Sequence, residues 1–251
     1  MAKIESFFAA ASVRRKQEQR RVKRLLSREK DCNFFFQEKM PWHQIDVSRF
    51  CEKKGLKKTL AAQKFAYQLL KTLKTKDERD VFMHSYRLAQ ILIYHMARAG
   101  VIGKLISIED LDNILSAAFN HDDLEDVSWN ALHDIEYCFG DLVALFVWVL
   151  SRDDKTSDVI YFLRIADFIF SALIKLADRL HNLRNMAKNL GINAFFTKER
   201  LSRQIEETWR FIVPMALKAM DQYEEYKPII EDMLEELILV LAEAEYVLQK
   251  A

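Results

Sequence analysis

Apolar residues recur every three to four positions along most of this chain, with polar residues between them. Clear examples run from Leu56 to Leu73, from His84 to Ala99 and from Ser171 to Met186. This spacing places the apolar side chains on one face of a helix, so each stretch is predicted to be amphipathic. Only five glycines and three prolines interrupt the 251 residues, which favours long helices. The pattern predicts an all-α fold, a helical bundle.

The same pattern predicts where several helices begin and end. Ser107–Asp110 resembles a capping box and begins a helix whose apolar run ends at Phe119. Ser128 is predicted to be the N-cap of the next helix. Leu142 to Leu150 is nearly all apolar and is expected to be buried, and a long helix is predicted from Lys198 to Met220. Half of all residues are hydrophobic, so the bundle can enclose a sizeable core.

Charge divides the chain into a basic beginning and an acidic end, although the net charge is only +1. Residues 1–30 hold ten basic against three acidic residues, and residues 221–251 hold nine acidic against two basic residues. The basic segment is predicted to be a solvated helix that packs Val22, Leu25 and Leu26 on the body. The alternative is that it contacts RNA or an acidic partner. The opposite charges of the two ends favour either intramolecular docking or a head-to-tail homo-oligomer, and both stay open.

Cysteine usage and hydropathy bear on the compartment. Cys32, Cys51 and Cys138 are odd in number and show no CxxC spacing, so neither a disulfide framework nor a cysteine zinc site is expected. No apolar run reaches about 18 residues, the length needed to span a membrane. We therefore expect a cytoplasmic protein with no membrane contact.

The segment Asn120–Asp126, with sequence NHDDLED, carries the strongest chemical signal. An imidazole and a carboxylate on the adjacent residues His121 and Asp122 can both reach one divalent cation at the end of a buried helix. Upstream His84 and downstream Asp178 complete a possible ligand set. Two imidazoles and two carboxylates without a thiolate suit a borderline-to-hard divalent ion that keeps open water positions. This layout is typical of a metal-dependent hydrolase.

These residues resemble the HD superfamily of metal phosphohydrolases, and within it the hydrolase domain of RelA/SpoT-type enzymes and small alarmone hydrolases. His84–Ala89 is similar to that family's His-Pro-x-x-x-Ala helix start, and HDDLED at 121–126 is similar to its HDxxED motif. The segment KLADRLHN at 175–182 matches almost letter for letter. FGDLVA at 139–144 and ETWRFIVPMA at 207–216 extend the resemblance over roughly residues 60–220.

The resemblance implies a domain division and a set of site residues. Residues 1–55 would form a basic extension and connector, 56–220 an HD hydrolase domain, and 221–251 an acidic helix packed on that domain or on a partner. The implied metal is Mn²⁺, although the ligands also suit Zn²⁺, Fe²⁺ or Co²⁺. The implied metal ligands are His84, His121, Asp122 and Asp178. Glu125 and Asp126 would orient a water and shuttle its proton.

Substrate contacts are implied on both sides of the metal ligands. Residues 74–80 stand where the family has an Arg-Lys-Ser-Gly-Glu-Pro loop, whose Gly and Pro are absent here. Asn182 and Asn185 follow Asp178 at helical spacing, so they share its stripe. The family has Thr where this chain has Asn185. The candidate contacts are Lys74, Lys76, Arg79, Lys175, Arg179, Asn182 and Asn185.

The function implied by the resemblance is removal of the 3′-pyrophosphate from the alarmones (p)ppGpp, or from the adenosine analogue ppApp, as in the stringent response. The products would be GDP or GTP and pyrophosphate. Residues 221–251 are too few for a synthetase domain, so we expect degradation alone. Two alternatives stay open. One is an HD phosphohydrolase of another phosphorylated nucleotide, and the other is an antitoxin-like binding protein that uses its basic amino-terminal helix as the contact.

Overall fold

The structure is a computed structural model that describes residues 16–22, 24, 40–70, 81–153, 155–192 and 194–251, except for the side chains of Val81 and Asp126. Every regular element in these ranges is a helix, and the described residues include no strand beyond one isolated bridge between Ile102 and Ile106. The predicted all-α fold is confirmed.

The helices are numbered here in chain order. The first half contains α1 (Val47–Lys54), α2 (Lys57–Leu70), α3 (Val81–Arg98), α4 (Ile108–Asn120), α5 (Asp123–Asp126) and α6 (Ala131–Phe139). The second half contains α7 (Asp141–Leu150), α8 (Asp158–Ala166), α9 (Ile169–Lys188), α10 (Lys198–Glu207), α11 (Val213–Gln222) and α12 (Lys227–Lys250). Short 3₁₀ turns lie at Pro41–Gln44 and Glu224–Tyr226.

Helix α9 lies at the centre of the bundle. It packs against α3, α4, α7, α8, α10, α11 and α12. Its sequence has no Gly or Pro and is rich in Leu, Ala, Lys and Arg, which are strong helix formers. Leu173, Ile174, Leu176 and Leu183 are fully buried, each worth about 1.5–3 kcal/mol of transfer free energy. A central helix of this kind can hold polar side chains rigidly in the interior.

Helix α4 begins as the sequence predicts. The Ser107 side chain accepts a hydrogen bond from the Asp110 amide at 3.0 Å and so caps the helix. The next start was predicted wrongly, because α6 begins at Ala131 and its N-cap position is Asn130. The Ser128 hydroxyl accepts from the Asn130 amide at 3.1 Å and stabilises the turn before that helix.

The helix predicted from Lys198 to Met220 is continuous but not regular. A π-helical turn at Thr208–Ile212 separates α10 from α11, and the Val213 amide donates to the Thr208 carbonyl. Pro214 follows this turn and has no N–H to donate, while its ring crowds the preceding turn of a regular helix. The wider turn accommodates that crowding.

The two ends of the chain meet on α12. Residues 16–22 are helical, Val22 is buried, and Arg21 Nη2 lies 2.9 Å from Glu235 Oε1. Helix α12 itself packs along α9 and against α10 and α11. Leu25 and Leu26, also predicted to pack on the body, lie outside the described residues. The contact fits intramolecular docking, and assembly into a homo-oligomer stays a prediction.

Within the described ranges, no helix combines the length and the apolar character needed to span a bilayer.

Candidate metal centre

The centre forms where α4 ends and α5 begins. Helix α4 stops at Asn120, and His121 and Asp122 keep near-helical backbone angles before α5 starts at Asp123. The helix end is anchored because Asn120 is fully buried and donates from Nδ2 to the Ser116 carbonyl at 2.8 Å. His121 and Asp122 therefore project from a fixed point in the bundle.

Two other helices bring the remaining candidate ligands to the same point. His84 lies in the first turn of α3, and Asp178 lies in the middle of α9, where it is buried. Because α9 packs against both α3 and α4, these side chains meet although nearly 100 residues separate them. The tertiary packing thus completes a set that the sequence holds in three separate segments.

Four side-chain atoms face one another at short range. His84 Nε2 lies 3.2 Å from His121 Nε2, 3.6 Å from Asp122 Oδ2 and 3.3 Å from Asp178 Oδ1. His121 Nε2 lies 3.0 Å from Asp122 Oδ2 and 4.0 Å from Asp178 Oδ1. The structure therefore brings together all four residues predicted as metal ligands.

These distances can be compared with those of a coordination sphere. With metal–ligand bonds of about 2.1 Å, ligand atoms are about 3.0 Å apart at right angles, about 3.4 Å in a tetrahedron and about 4.2 Å when opposite. Five of the six separations between the four atoms fall within this range, and the Asp122–Asp178 pair is the exception. The ligand atoms of His84, His121 and Asp122 all lie within 4.8 Å of one another, and Asp178 Oδ1 approaches both histidines. The donor set fits a divalent cation, and its identity is not fixed by these atoms.

Each candidate histidine has a partner for its other ring nitrogen. His121 Nδ1 lies 2.9 Å from the Ala118 carbonyl, which can only accept, so Nδ1 carries the proton. His84 Nδ1 lies 2.8 Å from His181 Nδ1. Such partners commonly fix the tautomer and orientation of metal-binding histidines. Both Nε2 atoms are thereby held toward the common point.

The charges of the centre are strongly coupled. Burial opposes ionisation of Asp178, but Lys175 and His84 outweigh it and hold the pKa of Asp178 well below its usual value. Burial likewise opposes ionisation of Asp122, yet His121 and His84 lower its pKa. Burial would lower the pKa of His121, whereas Asp122 and Asp178 raise it to about 9. Both carboxylates are therefore ionised, and that of Asp178, which is buried, requires nearby positive charge.

Glu125, one of the two predicted catalytic acids, lies one turn after Asp122 and is exposed. Its Oε1 accepts a hydrogen bond from the Arg152 amide at 2.7 Å. Desolvation by the surrounding protein raises the pKa of Glu125 above its ordinary value, although the Arg152 amide and Lys175 oppose this. Asp126, the second predicted acid, is the last residue of α5, and its side chain lies outside the described part of the structure.

Lys175 and Asn182, two predicted substrate contacts, both contact Asp178. Lys175 Nζ lies 3.0 Å from Asp178 Oδ2, and Asn182 Nδ2 donates to Asp178 Oδ1 at 2.5 Å. The two residues flank Asp178 at i−3 and i+4 on α9, as the helical stripe predicts. In this structure they orient the carboxylate.

The other predicted substrate contacts are more scattered. Arg179 is buried and donates from Nη2 to Glu207 Oε2 on α10 at 2.9 Å. Asn185 Oδ1 accepts from Asn189 Nδ2 at 2.7 Å near the end of α9. The remaining three candidates, Lys74, Lys76 and Arg79, lie outside the described residues.

Sequence reasoning missed several neighbours of the centre. It did not identify the Arg152 amide, which contacts Glu125, or Glu207, which pairs with Arg179. It did not identify Tyr161 either, whose buried ring lies beneath Arg152 and Lys175. The position of a backbone amide cannot be predicted from the residue type. Glu207, in contrast, lies in the segment 207–216 that carries the family resemblance, so it could have been proposed as a neighbour of the centre.

Two other histidines lie on helices α3 and α6, apart from the centre. His133 belongs to a second His-Asp dipeptide on α6. Its side chain is 87% exposed, and its Nδ1 lies 3.9 Å from Glu136 Oε2. His95 lies three turns after His84 on α3 and is fully buried, with Asp232 on α12 2.7 Å from its Nδ1. Neither joins the metal centre.

Neither a scan against protein-family models nor a search of curated proteins found a match to this chain. Any functional assignment must therefore come from the residues of the centre themselves.

Proposed function

We propose that this protein is a divalent-metal-dependent hydrolase of the HD type that removes the 3′-pyrophosphate from (p)ppGpp or ppApp. The proposal rests chiefly on one observation. Ligand atoms of His84, His121, Asp122 and Asp178 lie 3.0–4.0 Å apart in five of their six pairs. The alarmone substrate and Mn²⁺ come from the sequence resemblance.

The bound metal would supply Lewis-acid chemistry, which polarises a phosphoryl oxygen and makes water nucleophilic near neutral pH. The chain's own residues would hold the reactants. His84, His121, Asp122 and Asp178 would hold the cation, while Lys175 and Asn182 keep the Asp178 carboxylate in position. The buried Asp178 carboxylate would thereby gain the positive charge that its location requires.

Glu125 is proposed to orient the attacking water and to accept its proton. The Arg152 amide fixes Oε1, which leaves Oε2 for the water. The raised pKa of Glu125 makes it a stronger base than an ordinary carboxylate. One water is consumed for each alarmone. Its oxygen forms a bond to the phosphorus that is attached to the 3′-oxygen, and the bond between that phosphorus and the 3′-oxygen breaks. The proton taken from the water is returned to the departing 3′-oxygen, which gives GDP or GTP and pyrophosphate.

The test is hydrolysis by the full chain after its metal has been removed with a chelator. We expect pyrophosphate release from ppGpp or ppApp only when Mn²⁺ is added back. His121→Ala should lower the rate by about three orders of magnitude or more, because the ligand set and its electrostatic stabilisation are lost. His133→Ala is the matched control, since it alters the exposed His-Asp dipeptide, and its rate should stay within about twofold.

Other outcomes separate the alternatives. If the protein releases orthophosphate from other nucleotides and does not hydrolyse the alarmones, the proposed substrate is wrong but the assignment as a hydrolase stands. Absence of metal-dependent hydrolysis across a nucleotide panel would overturn the enzymatic proposal. If His121→Ala abolishes hydrolysis but leaves the cellular effect unchanged, the antitoxin-like binding function gains support.

A further inference from the structure

A cavity of about 270 Å³ lies away from the metal centre, against α3, α9, α12 and the turn at Met40 and Pro41. Its charged lining consists of four acids and two arginines, an excess of two negative charges. These residues are Asp232, Glu235, Glu236, Glu243, Arg98 and Arg184. The excess of carboxylates favours a positively charged ligand.

Three of the four acids already have partners. Asp232 contacts His95 at 2.7 Å and Arg98 at 3.3 Å. Glu236 lies 2.6 Å from Arg184 Nη1 and 3.0 Å from His95 Nε2. Glu235 pairs with Arg21 at 2.9 Å. The negative charges of these three carboxylates are therefore compensated by neighbouring side chains of the protein.

Glu243 differs from them. It is only 5% exposed and lines the cavity, yet it makes no hydrogen bond or ion pair with any other described residue. Burial raises the pKa of Glu243 to about 7, although Arg184 and Lys188 oppose the shift from a distance. A buried carboxylate without a partner is costly, and a cation in the cavity would remove that cost.

We propose that this cavity binds a small organic cation, a primary alkylamine whose ammonium group pairs with Glu243. Pro41 and Leu239 offer apolar contacts for the alkyl chain. A bare metal ion is less suitable. Among the described residues, the group of three ligand atoms that lie within 4.8 Å of one another is at the metal centre and includes no residue of this cavity. The inference does not depend on the proposed hydrolase function.

The first test is calorimetric titration of the intact, metal-free protein with putrescine. We expect one putrescine bound for each chain. The neutral analogue 1,4-butanediol, which has the same carbon chain, should not bind. Glu243→Gln should weaken putrescine binding about tenfold or more, the factor expected from the loss of one charge-assisted hydrogen bond. Glu224→Gln is the matched control on an exposed acid, and its affinity should equal that of the unaltered protein.

A second measurement locates the site without any substitution. Putrescine should slow amide hydrogen exchange in α12 around Glu243 and leave the exchange of α6 unchanged. Absence of binding by the unaltered protein would overturn the proposal. So would equal affinity for putrescine and butanediol, or full affinity in a folded Glu243→Gln variant.

Discussion

At the scale of single residues, the chain carries the dipeptide His-Asp twice, and only the surroundings distinguish the two. His121 and Asp122 follow a buried helix and lie opposite His84 and Asp178. The second dipeptide, at His133, lies on the solvent side of α6. The same two residue types can thus form a pair of metal ligands at one position and solvent-exposed surface side chains at the other.

The contact between His84 and His181 leads to a prediction about metal affinity. Burial lowers the pKa of His181 well below its usual value, so this ring is neutral. If His84 binds a cation through Nε2, its Nδ1 carries the proton and donates to His181 Nδ1. His181→Leu removes this acceptor, so we expect Mn²⁺ affinity to fall about 10–100-fold, as measured by calorimetry.

His181→Asn is the matched control, because an Asn oxygen can replace the imidazole Nδ1 as the acceptor. Its Mn²⁺ affinity should stay within about threefold of the unaltered protein. Equal losses in the Leu and Asn variants would show that His181 acts through packing alone.

Glu125 leads to a second prediction, which rests on the proposed function. Glu125→Gln keeps the side-chain oxygen that accepts from the Arg152 amide but cannot accept a proton. We expect kcat to fall by about 10²–10⁴-fold, the usual contribution of a general base. Mn²⁺ affinity should be unchanged, because Glu125 is not among the four candidate ligands.

Glu136→Gln serves as the comparison for Glu125, since Glu136 is an exposed acid on α6. Its kcat should match that of the unaltered protein. A Glu125→Gln variant that loses Mn²⁺ binding together with activity would instead make Glu125 part of the ligand shell.

At the scale of elements, the apolar run of α7 was expected to be buried throughout. Val143, Phe146, Val147, Val149 and Leu150 are indeed buried, but Leu142 and Trp148 are about 40% exposed. A helix on the outside of a bundle always has one face away from the core. On that face the Arg164 guanidinium lies over the Trp148 ring at 4.6 Å, which covers part of the indole.

The buried acid of α12 makes stability depend on pH. The pKa of Glu243 is about 7 in the folded chain, above its value of 4.5 in an unfolded chain. Between these values the folded state binds more protons, so stability falls as the pH rises from about 4.5 to 7. We therefore compare the free energy of unfolding at pH 5 and pH 8, measured by chemical denaturation. It should fall by about 2 kcal/mol more in the unaltered protein than in Glu243→Gln.

The comparison between two pH values cancels the constant effect of replacing a carboxylate by an amide. It also cancels the titration of groups common to both proteins. Parallel pH profiles for the unaltered protein and Glu243→Gln would contradict the prediction, and would mean that the Glu243 carboxylate is already compensated.

At the scale of the whole molecule, the basic beginning and the acidic end of the chain meet at Arg21 and Glu235. Both side chains are substantially exposed, so water and salt screen their attraction. Val22, beside Arg21, is instead fully covered. Burial of this valine should therefore hold the segment in place more strongly than the ion pair does.

A double-mutant cycle would separate these contributions. Arg21→Ala, Glu235→Ala and the double variant should give a coupling free energy of about 0.2–1 kcal/mol in urea denaturation, smaller at high salt. Val22→Ala should lower the free energy of unfolding by more than this, about 1–3 kcal/mol. A coupling free energy larger than the destabilisation caused by Val22→Ala would show that electrostatic attraction dominates the docking of the two ends.

Much of the helical architecture was predictable, because apolar periodicity is local in the sequence. The start of α4 at Ser107 was predicted from a single cap. The start of α6 was not predicted correctly. The Ser128 side chain accepts a hydrogen bond from the Asn130 amide, which stabilises the turn before the helix instead of capping the helix itself. The π turn before Pro214 was also missed, since a proline signals a disturbed helix without specifying how it is accommodated.

For the candidate site, the sequence determined which residue types were available, since His121 and Asp122 are neighbours and Lys175, Asp178 and Asn182 share one helical stripe. The tertiary structure alone decided that His84 and Asp178 approach them, that Lys175 and Asn182 contact Asp178, and that Arg152 and His181 support the centre. The physical reason is that side-chain patterns over a few turns depend on local backbone geometry. Contacts between distant segments depend on how whole helices pack.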